Sequence, residues 1–292
     1  MIYNEFDGLQ LSALGFGTMR LPLLEDGKSI DRDLTGRMID YAFAHGINYF
    51  DTAVPYHSGL SEIVIGEILS WYPRDRYFLA DKYPGHQHEE TYDPAKTFET
   101  QLRRCRVEYF DFYLLHNLGG NRTEIAEEYG IWDFVAQKKK EGLIKHIGFS
   151  FHSTADELDT ILTKHPEAEF VQLQINYADW DSDSIQSRKC YETTRKHGKP
   201  VIVMEPVKGG RLANPLPKIT EMFKASEPEM SPSSWAIRFA ANLEGVITVL
   251  SGMSTYEQTL DNTSYMEKFT GLNANEKAVI AKAQEILRNT PL

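Results

Sequence analysis

The chain is poor in cysteine, because its 292 residues include only Cys105 and Cys190, which lie far apart in the sequence. A disulfide framework needs several spaced cysteines, and a structural zinc site needs clustered cysteine or histidine, so neither is expected. Two isolated thiols are typical of a reducing compartment. We therefore expect both thiols to be reduced and the protein to be cytoplasmic.

Positive charge and long apolar segments are also scarce. Lys and Arg number 31 against 42 Asp and Glu, which gives a formal net charge of −11 at pH 7. A nucleic-acid-binding protein would carry a basic patch, so that class of partner is not expected. No apolar run approaches the roughly 18 residues that cross a membrane, and the first residues do not resemble a signal peptide. A membrane partner is therefore not expected either.

What the sequence contains instead is a repeated pattern of short β-prone runs followed by helical segments. Eight runs rich in Val, Ile, Leu, Phe and Tyr end near residues 17, 51, 82, 116, 150, 176, 204 and 250. They lack polar alternation, as expected for strands buried on both faces of a parallel sheet. Eight βα units in about 250 residues predict an α/β fold of the (β/α)₈ TIM barrel type, with a doubly wound open sheet as the second choice.

The other segments fit around this barrel. The first dozen residues are expected to form an N-terminal hairpin across its bottom. The Pro- and Gly-rich stretch after the seventh strand predicts an extended loop with room for a short helix, a candidate lid. No linker or low-complexity segment divides the sequence, so residues 1–292 are predicted to form a single barrel domain.

Three consecutive predicted strands end in titratable side chains, namely Asp51, Lys82 and His116. Active sites lie at the carboxyl ends of barrel strands, where neighbouring ends meet, so these side chains should converge. Tyr56 follows Asp51 by five residues and is expected to fold over them. Each residue alone also fits a structural role, such as a helix cap, a solvated lysine or a buried histidine. Their combination at three neighbouring strand ends predicts a functional site.

These side chains together suit one kind of chemistry. A phenol has a pKa near 10, and a nearby ammonium together with a desolvated site is expected to pull it toward the working range, which makes Tyr56 a usable proton donor. Lys82 supplies the ammonium, Asp51 anchors Lys82, and His116 can hydrogen-bond a substrate oxygen. The set suits protonation of a carbonyl oxygen while a hydride reaches the carbon. Because it contains no hydride donor and no metal, a nicotinamide cofactor is implied.

Several segments resemble the aldo-keto reductase family, namely GINYFDTAVPYHSGLSEIVIGEIL, LADKY, YFDFYLLHN, IKHIGFS, VQLQINY and SGMSTYEQTLDN. They occur in the family's order and cover nearly the whole chain. The resemblance implies an oxidoreductase that reduces the aldehyde or ketone carbonyl of a small-molecule substrate to an alcohol. The sequence does not determine the oligomeric state, and a monomer is compatible with it. It implies Tyr56 as the general acid/base, with Asp51, Lys82 and His116 completing a catalytic tetrad.

The resemblance also implies a cofactor, NADPH or NADH, across the barrel mouth. Ser150 matches the serine of a Ser-Asn pair that holds the nicotinamide carboxamide, whereas Phe151 stands at the asparagine position and His152 is a candidate substitute. The resemblance makes NADPH the default cofactor, but Gly252 and Gln258 occupy positions that are basic in relatives preferring NADP, so NADH stays open. The cofactor-binding residues implied in this way are Gly17, Thr18, Met19, Ser150, Gln172, Met204, Lys208, Gly209, Gly210, Gly252, Ser254, Gln258, Asp261 and Asn262.

The substrate pocket is expected to be lined by His57, Tyr83, Phe149 and Trp180. The MRLP and YHSGLSE segments resemble a bacterial subgroup that often carries an iron–sulfur module beyond this point, but the cysteines of that module are absent here. Many relatives also have a C-terminal tail that folds over the pocket. The sequence ends before such a tail, so the pocket is expected to be open.

Three alternatives to a reductase stay open. The GHQHEE segment, residues 85–90, holds a His-x-His pair of the kind used by metal-dependent barrel hydrolases, although its polar loop setting favours no metal site. A nicotinamide-binding sensor on the same fold would bind cofactor without turnover. A phosphosugar isomerase would act without nicotinamide and would need a glutamate base that these motifs do not supply.

Overall fold

The structure is a computed structural model that describes residues 1–85 and 93–290. Its strands are β1 (Tyr3–Phe6), β2 (Leu9–Ser12), β3 (Leu14–Gly17), β4 (Tyr49–Asp51), β5 (Phe78–Tyr83), β6 (Phe110–Leu118), β7 (Ile144–Phe151), β8 (Phe170–Gln174), β9 (Val201–Met204) and β10 (Val246–Gly252). Strands β3 to β10 close into a parallel barrel in the order β10-β3-β4-β5-β6-β7-β8-β9. The predicted (β/α)₈ barrel is confirmed.

Helices surround the barrel and follow its strands in turn. They are α1 (Arg32–Ala44), α2 (Leu60–Leu69), α3 (Pro94–Cys105), α4 (Asn121–Glu128), α5 (Ile131–Lys140), α6 (Ala155–Lys164), α7 (Ser187–Lys196), α8 (Pro217–Ser226), α9 (Pro232–Ala241), α10 (Tyr256–Met266) and α11 (Ala274–Asn289). Within the described residues, none of these helices is long and apolar enough to cross a membrane.

Side-chain caps set where several helices begin. Asp31 accepts a hydrogen bond from the Leu34 N–H at 2.9 Å and starts α1. Asp93 does the same for the Lys96 N–H at 3.0 Å, with a proline at the first position of α3. Such caps satisfy N–H groups that the helix itself leaves unpaired.

The predicted N-terminal hairpin is also confirmed, because β1 and β2 pair antiparallel. Phe6 contacts the barrel, with its ring centroid 5.7 Å from that of Phe112 and 6.4 Å from that of Phe170. The Asn4 side-chain amide donates to the Ile247 carbonyl at 3.1 Å. The hairpin therefore covers one end of the barrel, and the carboxyl ends of the strands form the other.

The barrel strands are buried on both faces, as their apolar runs predict. One core cluster fills the interior and includes Tyr49, Phe112, Phe170 and Ile202. A larger cluster lies between the barrel and the surrounding helices. The interior is thus filled by side chains, and active sites of such barrels lie at the carboxyl-end mouth.

The long segment after β9 contains helical structure, as the predicted extended loop with a short helix allows. It contains a 3₁₀ turn, Lys208–Ala213, followed by α8. Pro217 at the first position of α8 has no N–H to leave unpaired, so the proline that suggested a loop also suits a helix start. The segment still borders the barrel mouth through Gly209 and Gly210.

Candidate active site

A cavity of about 720 Å³ opens at the carboxyl ends of the barrel strands. The last residues of four strands line it, namely Gly17, Asp51, Met204 and Gly252. This position is where barrel enzymes hold their active sites.

Lys82 and Asp51 form a buried ion pair at the floor of this cavity. The Lys82 Nζ donates to Asp51 Oδ1 at 2.6 Å and to the Thr52 carbonyl at 2.8 Å. The Lys82 side chain has no exposed surface, and that of Asp51 is 3% exposed. Burial is the largest single influence and acts to lower the pKa of Lys82, but Asp51, Tyr56 and Asp81 together outweigh it and raise that pKa. Lys82 is therefore a cation at neutral pH.

Tyr56 lies above this pair, on a 3₁₀ turn that follows β4. The Lys82 Nζ is 3.4 Å from the Tyr56 hydroxyl and lies 5.0 Å from the ring centroid. The ring of His116 stands edge-on to the Tyr56 ring, with centroids 6.3 Å apart. The structure thus brings together the four side chains that the sequence predicts to converge, namely Asp51, Tyr56, Lys82 and His116.

The Tyr56 phenol differs from expectation in its acidity. Burial raises the pKa of Tyr56, and the Lys82 ammonium offsets this only in part. The expectation that the ammonium and the desolvated site together lower this pKa is therefore wrong, because loss of solvent raises it by more than the ammonium lowers it. The phenol keeps its proton throughout the neutral range.

His57, the residue after Tyr56, lines the cavity but is tied to the protein backbone. Its Nε2 accepts a hydrogen bond from the Leu21 N–H at 3.0 Å, and the ring also bonds the Thr18 backbone. His57 and Ser58 have φ values of 51° and 55°, which non-glycine residues seldom adopt. Burial lowers the pKa of His57. His57 therefore braces the loop of Tyr56 against the loop after β3.

Thirteen of the fourteen predicted cofactor residues line the cavity, namely Gly17, Thr18, Met19, Ser150, Gln172, Met204, Gly209, Gly210, Gly252, Ser254, Gln258, Asp261 and Asn262. The exception is Lys208, which was expected to meet a pyrophosphate. Its Nζ pairs with Asp179, whose other carboxylate oxygen accepts from Asn176 at 2.9 Å and from Gln174 at 3.1 Å. Lys208 is therefore held away from the cavity by a mostly buried network.

One buried polar atom on the cavity wall lacks a protein partner. The Gln172 side chain donates to the Met204 sulfur at 3.5 Å, while its Oε1 is buried and takes no hydrogen bond from the described residues. Ser150 and His152 also line this wall, whereas Phe151 points away into the core. Alternation along β7 explains this arrangement, because successive side chains of a strand face opposite sides.

Three of the four predicted substrate-pocket residues do not line the cavity. Tyr83 and Phe149 each lie next to an inward-facing residue of their strand, so both face the helix layer, where Phe149 packs on Trp132 with centroids 5.9 Å apart. Trp180 packs between Tyr191 and Phe239. Only His57 of the four lines the cavity.

A family model for the aldo/keto reductases matches residues 13–285. The chain belongs to the aldo/keto reductase family. It is 25% identical to L-galactose dehydrogenase of Arabidopsis thaliana over 297 residues, which cover 93% of this chain and 89% of that protein. It is 33% identical over 194 residues to probable aldo-keto reductase 1 of Glycine max, a match that spans 60% of this chain and 51% of that protein.

Solved structures of other family members superpose closely on this one. Aldo-keto reductase AKR11C1 from Bacillus halodurans, in its holo form, gives a TM-score of 0.75 at 25% identity and covers 97% of this chain and 96% of its own. An aldo-keto reductase from Klebsiella pneumoniae, solved in complex with NADPH, gives a TM-score of 0.76 at 19% identity and covers 97% of this chain and 96% of its own.

This aldo/keto reductase also has cavity residues that sequence reasoning missed. Arg20 is the one Lys or Arg among the described lining residues, and a Cβ placed on Gly209 would lie 3.3 Å from its Nη2. Asn117 lines the cavity beside His116. Arg20 could have been nominated from the sequence, because it directly follows the predicted first strand. Asn117 could not, because regular alternation would place its side chain on the outer face of β6.

A second buried charge cluster lies on the outer face of β5. Asp81 Oδ1 accepts from the Lys82 N–H at 2.8 Å, and the Cys105 thiol is 3.8 Å from Asp81 Oδ2. Glu62 pairs with Arg104 at 2.9 Å, and its carboxylate also lies within hydrogen-bonding reach of the Asp81 carboxyl. Burial, and then the nearby Glu62, hold the pKa of Asp81 well above its usual range.

Metal ligation finds no support in the part of the chain that the structure describes. Within residues 1–85 and 93–290, no three His, Cys, Asp or Glu side chains are placed to hold an ion. The His-x-His pair of the GHQHEE segment lies outside the described residues.

Proposed function

We propose that the protein reduces aldehyde or ketone carbonyls to alcohols with NADPH, with Tyr56 as the proton donor. The observation that carries this proposal is the position of one buried cation. Lys82 Nζ is 2.6 Å from Asp51 and 3.4 Å from the Tyr56 hydroxyl, at the edge of a cavity large enough for a dinucleotide. Family membership supports the same class of reaction.

The cavity walls fit a nicotinamide nucleotide. The buried Gln172 Oε1 would accept a hydrogen bond from the carboxamide NH₂, and the Ser150 hydroxyl lies on the same wall. Arg20, the one cation of the described lining, would face the phosphates together with the open glycines Gly209 and Gly210. The bound NADPH in the Klebsiella pneumoniae protein supports this choice of cofactor, and NADH stays possible.

The reaction then depends on this chain's own groups as follows. The nicotinamide, when bound, supplies a hydride to the carbonyl carbon. Tyr56 and His116 hydrogen-bond the carbonyl oxygen and fix its position. As negative charge develops on that oxygen, the Tyr56 hydroxyl transfers its proton to it. Lys82 stabilises the resulting phenolate, and Asp51 keeps Lys82 in place. The raised pKa of Tyr56 keeps the donor protonated before the transfer.

Tyr56→Phe tests the proposal directly. We expect kcat/KM for a panel of aldehydes and ketones to fall roughly 10²- to 10⁴-fold, because the variant lacks the general acid. The Kd for NADPH, measured by fluorescence titration, should stay near that of the unchanged protein. Tyr41→Phe, on α1 away from the cavity, is the matched control. Full turnover by the Tyr56→Phe protein would show that the proposed proton donor is wrong.

A further inference from the structure

Three buried hydroxyl groups meet at the base of the loop that carries Tyr56. They belong to Thr18, which follows β3, to Thr52, which follows β4, and to Ser61, in the first turn of α2; each of these residues is fully buried. Ser61 Oγ lies 2.7 Å from Thr18 Oγ1 and 2.9 Å from Thr52 Oγ1. Thr18 Oγ1 also donates to the Asp51 carbonyl at 2.8 Å. The three groups are therefore connected to one another and to the backbone.

The direction of these hydrogen bonds follows from counting protons. A hydroxyl group has one proton to donate, and a carbonyl oxygen can only accept. Thr18 donates its proton to the Asp51 carbonyl, so Ser61 must donate to Thr18. Thr52 must then donate to Ser61. This hydroxyl chain therefore starts at Thr52 and ends on the carbonyl of the preceding residue, Asp51.

The two residues at the ends of the hydroxyl chain are those that hold Lys82. The Lys82 Nζ donates to the Asp51 carboxylate at 2.6 Å and to the Thr52 carbonyl at 2.8 Å. Both acceptors thus belong to the short backbone segment that the hydroxyl chain fixes, and the Thr18 N–H also donates to the Asp51 carbonyl at 3.0 Å. A shift of this segment would move the ammonium relative to the Tyr56 hydroxyl, which is 3.4 Å away.

The same hydroxyl chain closes the loop of Tyr56. The bond between Thr52 and Ser61 joins positions nine residues apart, one before the loop and one after it. Within the loop, the φ values of 51° for His57 and 55° for Ser58 lie in the left-handed region. Non-glycine residues stay in that region only where the surrounding structure holds them there. The bond at the base of the loop is one of the contacts that do so.

From this arrangement we infer that Ser61 is a positioning residue for Lys82. Its hydroxyl group holds the segment of Asp51 and Thr52 in place, and that segment holds the ammonium at the distance from Tyr56 that stabilises the phenolate. Ser61 does not line the cavity, so it acts through these neighbours and not on a ligand. This inference rests on the proposed function.

A purely structural role would give a different result, which Ser12 allows us to recognise. A buried hydroxyl group that loses its partners lowers stability, whether or not it acts on a catalytic group. Ser12 is also fully buried, and its Oγ also makes two hydrogen bonds, to the Leu14 carbonyl at 2.7 Å and from the Asn48 N–H at 3.1 Å. It ends β2, in the hairpin at the opposite end of the barrel, so it matches Ser61 in burial and bonding but not in position.

The test compares Ser61→Ala with Ser12→Ala in the full chain, with NADPH and the panel of aldehydes and ketones. In Ser61→Ala we expect kcat to fall roughly 10- to 100-fold, the loss expected when a catalytic group is displaced by about 1 Å. KM for the carbonyl compound and the Kd for NADPH should change less than about threefold, because no lining residue is removed. Ser12→Ala should keep kcat, while its denaturation midpoint falls about as far as that of Ser61→Ala.

A second pair of variants separates the hydroxyl group from the shape of the side chain. Thr52→Val keeps the shape of threonine but removes the proton that Ser61 accepts, so kcat should fall in the same way. Thr52→Ser keeps the hydroxyl group and should recover most of the kcat that Thr52→Val loses. This pair also gives a result if Ser61→Ala does not fold.

Three results would overturn the inference alone. One is an unchanged kcat, or a loss confined to KM, in Ser61→Ala and Thr52→Val. The second is a loss of kcat in Ser12→Ala as large as that in Ser61→Ala, which would make the effect one of general stability. The third is an equal kcat in Thr52→Val and Thr52→Ser. If the unchanged protein reduces none of the carbonyl compounds, or if Tyr56→Phe keeps full turnover, it is the proposed function that fails.

Discussion

Two buried charge clusters lie on opposite faces of β5, one behind the other. The inner one joins Lys82 to Asp51 at 2.6 Å, and both side chains are almost fully buried. The outer one joins Glu62 to Arg104 at 2.9 Å, with the Arg104 side chain 35% exposed and Glu62 fully buried. Asp81, next to Lys82 in the chain, belongs to the outer cluster.

The clusters differ in what can reach them. Asp51 borders the cavity, and Tyr56 lies between Lys82 and any ligand there. The outer cluster is closed off by α2 and α3, which pack so tightly that a Cβ on Gly66 would lie 2.3 Å from the Arg104 carbonyl oxygen. Buried charge is costly in both places, but only the inner cluster can act on a bound molecule. Substitutions in the inner cluster should therefore reduce activity, whereas substitutions in the outer cluster should change stability alone.

The largest effect is expected from Lys82→Met. Carbonyl reduction should fall roughly 10²- to 10⁴-fold, because the phenolate of Tyr56 loses its cation. The free energy of unfolding should fall by about 3–5 kcal/mol, since Asp51 is left as an unpaired buried carboxylate. Steady-state kinetics and denaturant unfolding measure the two effects. In Lys82→Met/Asp51→Asn, most of the stability should return while activity stays lost; recovered activity would contradict a catalytic role for Lys82.

A smaller effect, confined to stability, is expected from Arg104→Met. Glu62 loses its partner, and the free energy of unfolding should fall by about 1–3 kcal/mol, less than for a fully buried pair because Arg104 reaches solvent. The kcat/KM for carbonyl reduction should change less than about threefold, since the cavity is untouched. Arg103→Met, at the exposed neighbouring position, is the control. A loss of activity as large as that of Lys82→Met would remove the distinction between the two clusters.

An effect that is absent near pH 4 and visible only in the pH dependence of stability is expected from Asp81→Asn. The folded-state pKa of Asp81 is raised, so its contribution to stability is complete below the ordinary aspartate pKa and is lost as pH rises through the folded value. Asparagine cannot ionise and keeps an acceptor for the Lys82 N–H. The variant should match the unchanged protein near pH 4 and exceed it at higher pH, by about 1.4 kcal/mol per pH unit between the two pKa values. If the unfolding free energies of the variant and the unchanged protein change in parallel with pH across this range, the raised pKa of Asp81 is contradicted.

The barrel and the positions of Asp51, Lys82, His116 and Tyr56 could be predicted because strand ends are visible in the sequence. An apolar run that stops at a charged residue marks the mouth of the barrel, whatever the later packing. The acidity of Tyr56 could not be predicted in the same way. It depends on how completely water is excluded, which is a property of the whole fold.

Side-chain direction was the main source of error elsewhere. Phe149 and Tyr83 sit at strand ends, but alternation turns them toward the helices, and the register was not known in advance. Lys208 could have met a phosphate, yet it pairs with Asp179 from a different loop. Asn117 faces the cavity only because β6 bulges, and no local sequence signal marks that bulge.

The hairpin that closes the bottom of the barrel has a consequence for the order of assembly. Asn4 bonds the Ile247 carbonyl across 243 residues, and Phe6 packs on Phe112 and Phe170. The hairpin is synthesised before any barrel strand, yet the surface that it covers is complete only when β10 has emerged. The hairpin thus leaves the ribosome before the barrel strands but is among the last parts of the barrel domain to be buried, and until then Phe6 stays exposed to solvent and to chaperones.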